Sequence, residues 1–273
     1  MSDNSSTFED IASIFGDEEV VSPAADPGAV MLEHMYKPQE AIFGAVAHDM
    51  VRAGWSIFPQ ELNDGRKPGT VNRRMIRWAD EHKLATQLPK PDVLDLWAAQ
   101  CGHLNVAVVL GRASGSTFVV DIDVVEETLS LQIQELAERM LGYTPLQRVG
   151  NWPKMAPVYR HSEEDVVESR SPKFAPETNA ENPHNLDQGL EIIANGKAMT
   201  FYGKHYKTGR YFNWLHGPPQ LHGPESVPVV SSKQIADFMD AVESIRAFKR
   251  STFRDDTITT WEYDETANIH VPR

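Results

Sequence analysis

Asp121 and Asp123 lie one residue apart in FVVDIDVV (residues 118–125), and this pair is the first feature of the sequence able to do chemistry. β-branched residues dominate the stretch, which predicts a mostly buried strand. Side chains at i and i+2 point to the same face of a strand, so both carboxylates aim one way while Val120, Ile122 and Val124 enter a core. Two carboxylates about 7 Å apart on one face repel each other unless a positive charge sits between them. A divalent cation such as Mg²⁺ or Mn²⁺ solves this, because hard oxygen ligands suit it. A strand end whose aspartates turn out into solvent solves it equally well, and the pair alone does not choose.

A second concentration of charge is basic. The loop NDGRKPG carries Arg66 and Lys67 and leads into VNRRMIRWADEHK, predicted as a helix with Arg73, Arg74 and Arg77 within two turns. These five residues are candidates for contact with a nucleotide or with DNA phosphates; the alternative is a solvated helix face. His216 and His222, in a Pro/Gly/His segment, read as polar loop groups rather than metal ligands.

Composition limits the partners. A chain of 273 residues can bury a real core, and its single cysteine, Cys101, excludes an internal disulfide framework and any cysteine-based zinc finger. No apolar run has bilayer length and the N-terminus lacks a signal pattern, so the expectation is a cytoplasmic protein with no membrane partner. The formal net charge of −13 opposes general nucleic-acid affinity, but residues 1–40 hold nine acids and one base, leaving only −5 for residues 41–273. A nucleic-acid groove on the folded part is therefore allowed if it is local.

The elements that must position these residues follow in order. Residues 1–37 form an acidic arm whose composition cannot support a core. Residues 38–250 make the folded domain, and residues 251–273 a polar tail or linker. Within the domain, a helix over residues 38–52 precedes a short strand in WSIFP, and PDVLDLWAAQ predicts another helix. NVAVVLGRASGS reads as a strand and a turn that deliver the chain into the Asp121–Asp123 strand, followed by a helix over residues 126–140. MAPVYR predicts a strand, residues 161–187 an exposed insertion, and residues 189–214 two strands with a turn at Asn195-Gly196 and a second hairpin at Thr208-Gly209. A helix opening at a Ser cap follows the His-containing loop. The fold class expected is α/β.

Four pieces in this order, GWSIFP, NVAVVLGRASGSTFVVDIDV, RVGNWPKMAPVYR and LEIIANGKAMTFYGKHYKTGRYFNW, resemble the N-terminal primase–polymerase (prim-pol) domain of the archaeo-eukaryotic primase superfamily, in its mobile-element form. The resemblance covers about residues 38–228. It implies an α/β unit packed against an RRM-like sheet with the active site in the cleft between them. It also implies template-directed nucleotidyl transfer on DNA with two divalent ions, Mg²⁺ or Mn²⁺. The partners implied are a DNA template, a primer strand and nucleoside triphosphates, with room for a helicase domain or protein.

Roles transfer where residues match. Asp121 and Asp123 match the first motif. Glu191 matches the acid of the third, Asp187 being the nearby competitor. His205, Thr208, Gly209, Tyr211 and Trp214 match the hairpin that follows. The second motif departs from the Ser-x-His of many members and reads R-x-G-x-x-P-K, which places Lys154 where the triphosphate contact is expected, with Arg148 and Arg160 nearby. The resemblance thus implies Asp121, Asp123 and Glu191 as catalytic metal ligands, and Arg148, Lys154, Arg160, Lys204, His205 and Arg210 as nucleotide-binding candidates. Two rival readings stand beside it: a replication module that binds without turnover, and a glycosyltransferase using Asp-x-Asp for a nucleotide-sugar metal.

Overall fold

Helix α1 (Phe43–Arg52) buries Phe43, Val46, Ala47 and Met50 on one stripe and turns at Gly54, whose φ of 98° suits glycine, into strand β1 (Ile57–Gln60). The computed structural model describes residues 43–65, 67–171, 173–174, 188–245, 248–249, 261–264 and 269–272. The acidic arm, Arg66 and Asp187 lie outside them. All the described residues belong to one unit.

After β1 come β2 (Thr70–Val71), β3 (Arg74–Met75), α2 (Pro91–Cys101), β4 (Asn105–Val109), β5 (Thr117–Asp123) and α3 (Glu127–Leu141). The chain continues through β6 (Gln147–Asn151), β7 (Lys154–Arg160), β8 (Lys173–Phe174), β9 (Gly189–Ile193), β10 (Ala198–Tyr202), β11 (Asn213–Trp214), α4 (Ser232–Ile245) and β12 (Phe248–Lys249). In the tail, β13 (Trp261–Asp264) pairs with β14 (Ile269–Pro272) as a hairpin that the polar composition did not announce.

A seven-stranded sheet runs β11-β6-β7-β5-β9-β8-β12 and a three-stranded sheet runs β1-β4-β10. Every ladder between named strands is antiparallel, so the α/β expectation stands as a mixture of helices and antiparallel sheets. β5 is central to the larger sheet. Its Phe118, Val120, Ile122 and Val124 side are fully buried with Ile133 of α3 and Phe238 and Val242 of α4. Each such side chain contributes about 1.5–3 kcal/mol on burial. The opposite face carries Val119 with Ala156 and Val158 of β7, packed in one cluster with Phe201 and Trp214.

Three sequence expectations need correction. The basic segment after residue 70 is not a helix: Asn72 (φ 49°) and Arg73 (φ 64°) make the turn of the β2–β3 hairpin, and residues 76–87 continue as turns. Its charges suited either form, and the anchoring of Val71 and Ile76, both buried, decides for the hairpin. The Asn195-Gly196 turn does not close a hairpin. It carries the chain from β9, paired with β5, to β10, paired with β4 in the other sheet. The segment after Arg160 is also less exposed than its polarity suggested. His161 and Val167 are buried, and Ser169 both accepts from the Ala194 N–H and donates to its carbonyl. Among the described residues no helix is long and apolar enough to cross a membrane.

Candidate active site

The two-residue alternation of β5 puts Val119, Asp121 and Asp123 on one face, away from α3 and α4. β9 runs antiparallel beside it with Glu191 directly opposite Asp121 and Gly189 opposite Asp123. Opposed residues in such a ladder lie about 4.5–5.5 Å apart and diagonal ones about 7–8 Å. All three acids therefore share one sheet face, each partly exposed to a cleft of about 800 Å³.

The R-x-G-x-x-P-K stretch builds the cationic wall of that cleft. The Pro153 carbonyl accepts from Ser130 Oγ at 2.7 Å and Gln134 Nε2 at 2.9 Å, and Trp152 Nε1 donates to Glu127 at 3.1 Å, so α3 fixes the turn between β6 and β7. The register that sets Met155 against Ile122 then brings Lys154 Nζ to 2.5 Å from Asp123 Oδ1. Arg148 lies under Phe212, its guanidinium carbon 4.3 Å from the ring centroid, and donates to the Thr200 carbonyl. Gly150 is required beneath the same ring, because a Cβ there would come within 2.6 Å of Phe212.

The hairpin between β10 and β11 closes another side. Asn105, buried at the start of β4, accepts from Lys204 N at 2.8 Å and donates to the Lys204 carbonyl at 3.0 Å, which fixes the base of this hairpin. Gly203, at φ 107°, lies so close to Asn105 that no Cβ fits. His205 N donates to the Arg210 carbonyl and Gly209 N to the His205 carbonyl, making a tight tip. Thr208 N donates to His205 Nδ1 at 3.3 Å, which assigns the neutral ring's proton to Nε2. Opposite, Gln60 Nε2 donates to the Gly65 carbonyl at 2.7 Å, and Thr200 Oγ1 bonds Gln60 Oε1. Gly65 and Tyr206 both line the cleft, and the Tyr206 ring leaves little more than the room a glycine needs at position 65.

Electrostatics follow from this crowding. Burial pushes Asp121 up to about 6; Arg148 pulls it down, and Asp123 and Glu191 push it up again. Burial lowers Arg148 to about 10 against the opposing pull of Asp121. Burial, then the cations Arg148, Lys154 and Lys207, hold His205 below the usual histidine range.

Among the nucleotide-binding candidates, Arg148, Lys154 and His205 line the cleft with the three acids, whereas Arg160, Lys204 and Arg210 do not. Arg160 ends β7 against Thr117, and Lys204 lies over the Tyr211 ring at 5.2 Å. Thr208, one of the hairpin residues matched in the sequence, also lines it, as do Lys197, Thr200, Tyr206, Lys207 and Phe212, which carried no strong sequence signal. Lys67, Arg73, Arg74 and Arg77 lie outside the cleft, on and beside the β2–β3 hairpin.

Three carboxylates on one partly buried face are a donor set for a hard divalent cation. As placed, no three His, Cys, Asp or Glu side chains among the described residues form a ligating group, and Asp123 is engaged by Lys154.

Sheet, cleft and facing acids make this the candidate site of the domain. The chain belongs to the bifunctional DNA primase/polymerase, N-terminal (Prim-Pol) family, whose model matches residues 47–230. A comparison with curated proteins finds no match. Membership points to DNA primase or polymerase activity, with DNA and nucleotides as substrates.

Proposed function

We propose that this cleft carries out metal-dependent, template-directed nucleotidyl transfer on DNA, with Asp121, Asp123 and Glu191 as the metal ligands. The observation that carries the reading is the register pairing Asp121 with Glu191 on the face where Lys154, Arg148 and His205 also meet. Two Mg²⁺ or Mn²⁺ ions held by these acids would supply activation of the attacking 3′-hydroxyl and charge stabilisation of the departing pyrophosphate. The chain's own contribution is positional. Lys154 exchanges its bond to Asp123 for one to the triphosphate. His205, whose pKa is lowered by burial and by the neighbouring cations, offers an Nε2–H donor. Phe212 and Gly150 keep Arg148 and water-excluding surface beneath the reacting groups. In this reading the seven-stranded sheet backed by α3 and α4 is the RRM-like half of the domain. The ordered motifs support a place in replication of a mobile element, alone or with a helicase.

Primer extension and de novo synthesis, with dNTP or NTP and either metal, test it. Asp121→Asn, Asp123→Asn and Glu191→Gln should each reduce incorporation by about 10³-fold or more while DNA binding persists, because the ligands act chiefly on the transition state. Retained activity in Asp123→Asn sinks the assignment. The engagement of Asp123 by Lys154 favours one alternative, a module that binds nucleotide without turnover. Nucleotide binding with no incorporation by the wild type would establish it.

A further inference from the structure

Between Gly65 and Ala79 the sequence holds five bases, Arg66, Lys67, Arg73, Arg74 and Arg77, and no acid, in a chain of net charge −13. The structure gives this stretch a rigid frame. β2 and β3 pair through Thr70 with Met75 and Val71 with Arg74, around a two-residue turn in which Asn72 and Arg73 both have positive φ. That turn matches the right-handed twist of a hairpin, but for a residue such as Arg73 the left-handed conformation costs about 1–2 kcal/mol. It is held from below. Gln100 of α2 accepts from Asn72 N at 3.0 Å and donates to Asn72 Oδ1 at 2.9 Å. Val71 and Ile76 are buried, Cys101 Sγ donates to the Thr70 carbonyl, and Gly69 is packed so tightly that a Cβ would meet Leu104 at 2.7 Å.

What this frame presents is charge. Lys67, Arg73 and Arg74 are exposed, and among the described residues no ion pair engages them; Arg77 alone has Asp80, at 3.0 Å. Beside them Met75 is 53% exposed. A strained turn kept by a dedicated side-chain clamp, with an arginine where glycine would be relaxed, marks a surface that uses that arginine.

We infer that the β2–β3 hairpin is a docking surface for a nucleic-acid backbone, and that it grips the template strand on its way to the cleft. The template assignment rests on the polymerase reading above. Planar guanidinium groups on a fixed backbone match phosphate oxygens, and an exposed thioether between them suits sugar and base faces. The same chain segment connects the surface to the chemistry: Gly65, two residues before Lys67, lines the cleft and is tied to Gln60. An amphipathic face of the kind that holds a membrane surface is not present here, since one methionine supplies the apolar part.

The test is fluorescence anisotropy of the full chain with single-stranded and primed-template DNA across a salt series, run beside primer extension. Arg73→Gln/Arg74→Gln should weaken DNA on the order of tenfold and flatten the log K against log salt slope by about 1.4 on single strands, two contacts at about 0.7 each. The KM for nucleotide at saturating DNA should not move. Arg73→Gly removes charge while relaxing the turn, so it should weaken DNA binding with an unchanged or raised melting temperature. Unchanged affinity and slope in the double variant overturn the inference, as does a loss seen with anionic vesicles or an acidic peptide but not with DNA. A wild type that binds DNA through Arg73 and Arg74 but incorporates no nucleotide upholds the surface and sinks the polymerase reading. Normal extension with hairpin-independent binding does the reverse.

Discussion

Asp121 and Glu191 are register partners across β5 and β9, so two carboxylates confront each other on the cleft face with Asp123 one step along. An acid whose folded pKa is raised holds its proton more tightly in the folded state. Its contribution to stability is therefore intact below the ordinary carboxylate range and is lost as pH rises through that range toward about 6. The loss is on the order of 3 kcal/mol. Asp121→Asn should then be more stable than the wild type at pH 7 in metal-free buffer, with the gap narrowing toward pH 4. Denaturant unfolding at both pH values measures it, and an Asn variant less stable at pH 7 would contradict the account.

Much of this site was legible because it depends on a period of two. The alternation in residues 118–125 placed both aspartates on one face, and the apolar flanks of Glu191 put it on a strand. What could not be read was pairing. Nothing local says that β9 joins β5 while β10 joins β4, because that partition is decided by the two cores. The helix expected at Arg73 failed for a related reason: the Gln100 clamp that fixes the turn lies 28 residues away. Arg148 under Phe212 is likewise a contact between distant strands, signalled only by the glycine at position 150.

Asn105 is a structural support for the cleft that its sequence context hides. It is buried and makes both hydrogen bonds to the Lys204 backbone that a neighbouring strand would otherwise make. Asn105→Ala leaves two backbone groups unsatisfied and should cost about 2–3 kcal/mol. Because that contact fixes the base of the hairpin bearing His205 and Tyr206, the KM for nucleotide should rise as well. Chemical denaturation and steady-state kinetics on one preparation check both, and a stability loss with unchanged KM would separate the hairpin from nucleotide binding.

Arg148 and Asp121 are oppositely charged groups in a site that penalises both charges, as the opposed shifts of the two show. Removing Arg148 takes away the largest charge that pulls Asp121 down and leaves it facing Asp123 and Glu191, whereas removing the Asp121 charge still leaves Arg148 the Thr200 carbonyl and the Phe212 ring. Arg148→Met should destabilise by about 3–5 kcal/mol, and adding Asp121→Asn should recover part of that loss. A double-mutant cycle should show a coupling of about 1–3 kcal/mol. Additive effects would mean that Arg148 contributes through Phe212 and the Thr200 carbonyl alone.

Lys154 is the cation best placed to change partners. Its ammonium is 2.5 Å from Asp123 and both side chains keep about a third or more of their surface open, 31% and 41%, so exchange toward a triphosphate needs no backbone motion. A charged hydrogen bond to phosphate is worth about 1.5–3 kcal/mol, so Lys154→Ala should raise the KM for nucleotide about 10- to 100-fold. Affinity for primed template should change less than about threefold, since the template surface is assigned to the basic hairpin rather than to this wall. Lys154→Arg should recover part of the loss by keeping the charge while changing its geometry. Steady-state kinetics in nucleotide and anisotropy in DNA, measured on the same variants, decide the matter. Equal losses in both would move Lys154 from the triphosphate to the template and leave Arg148, Lys197, His205 and Lys207 as the cleft residues able to hold the leaving phosphates.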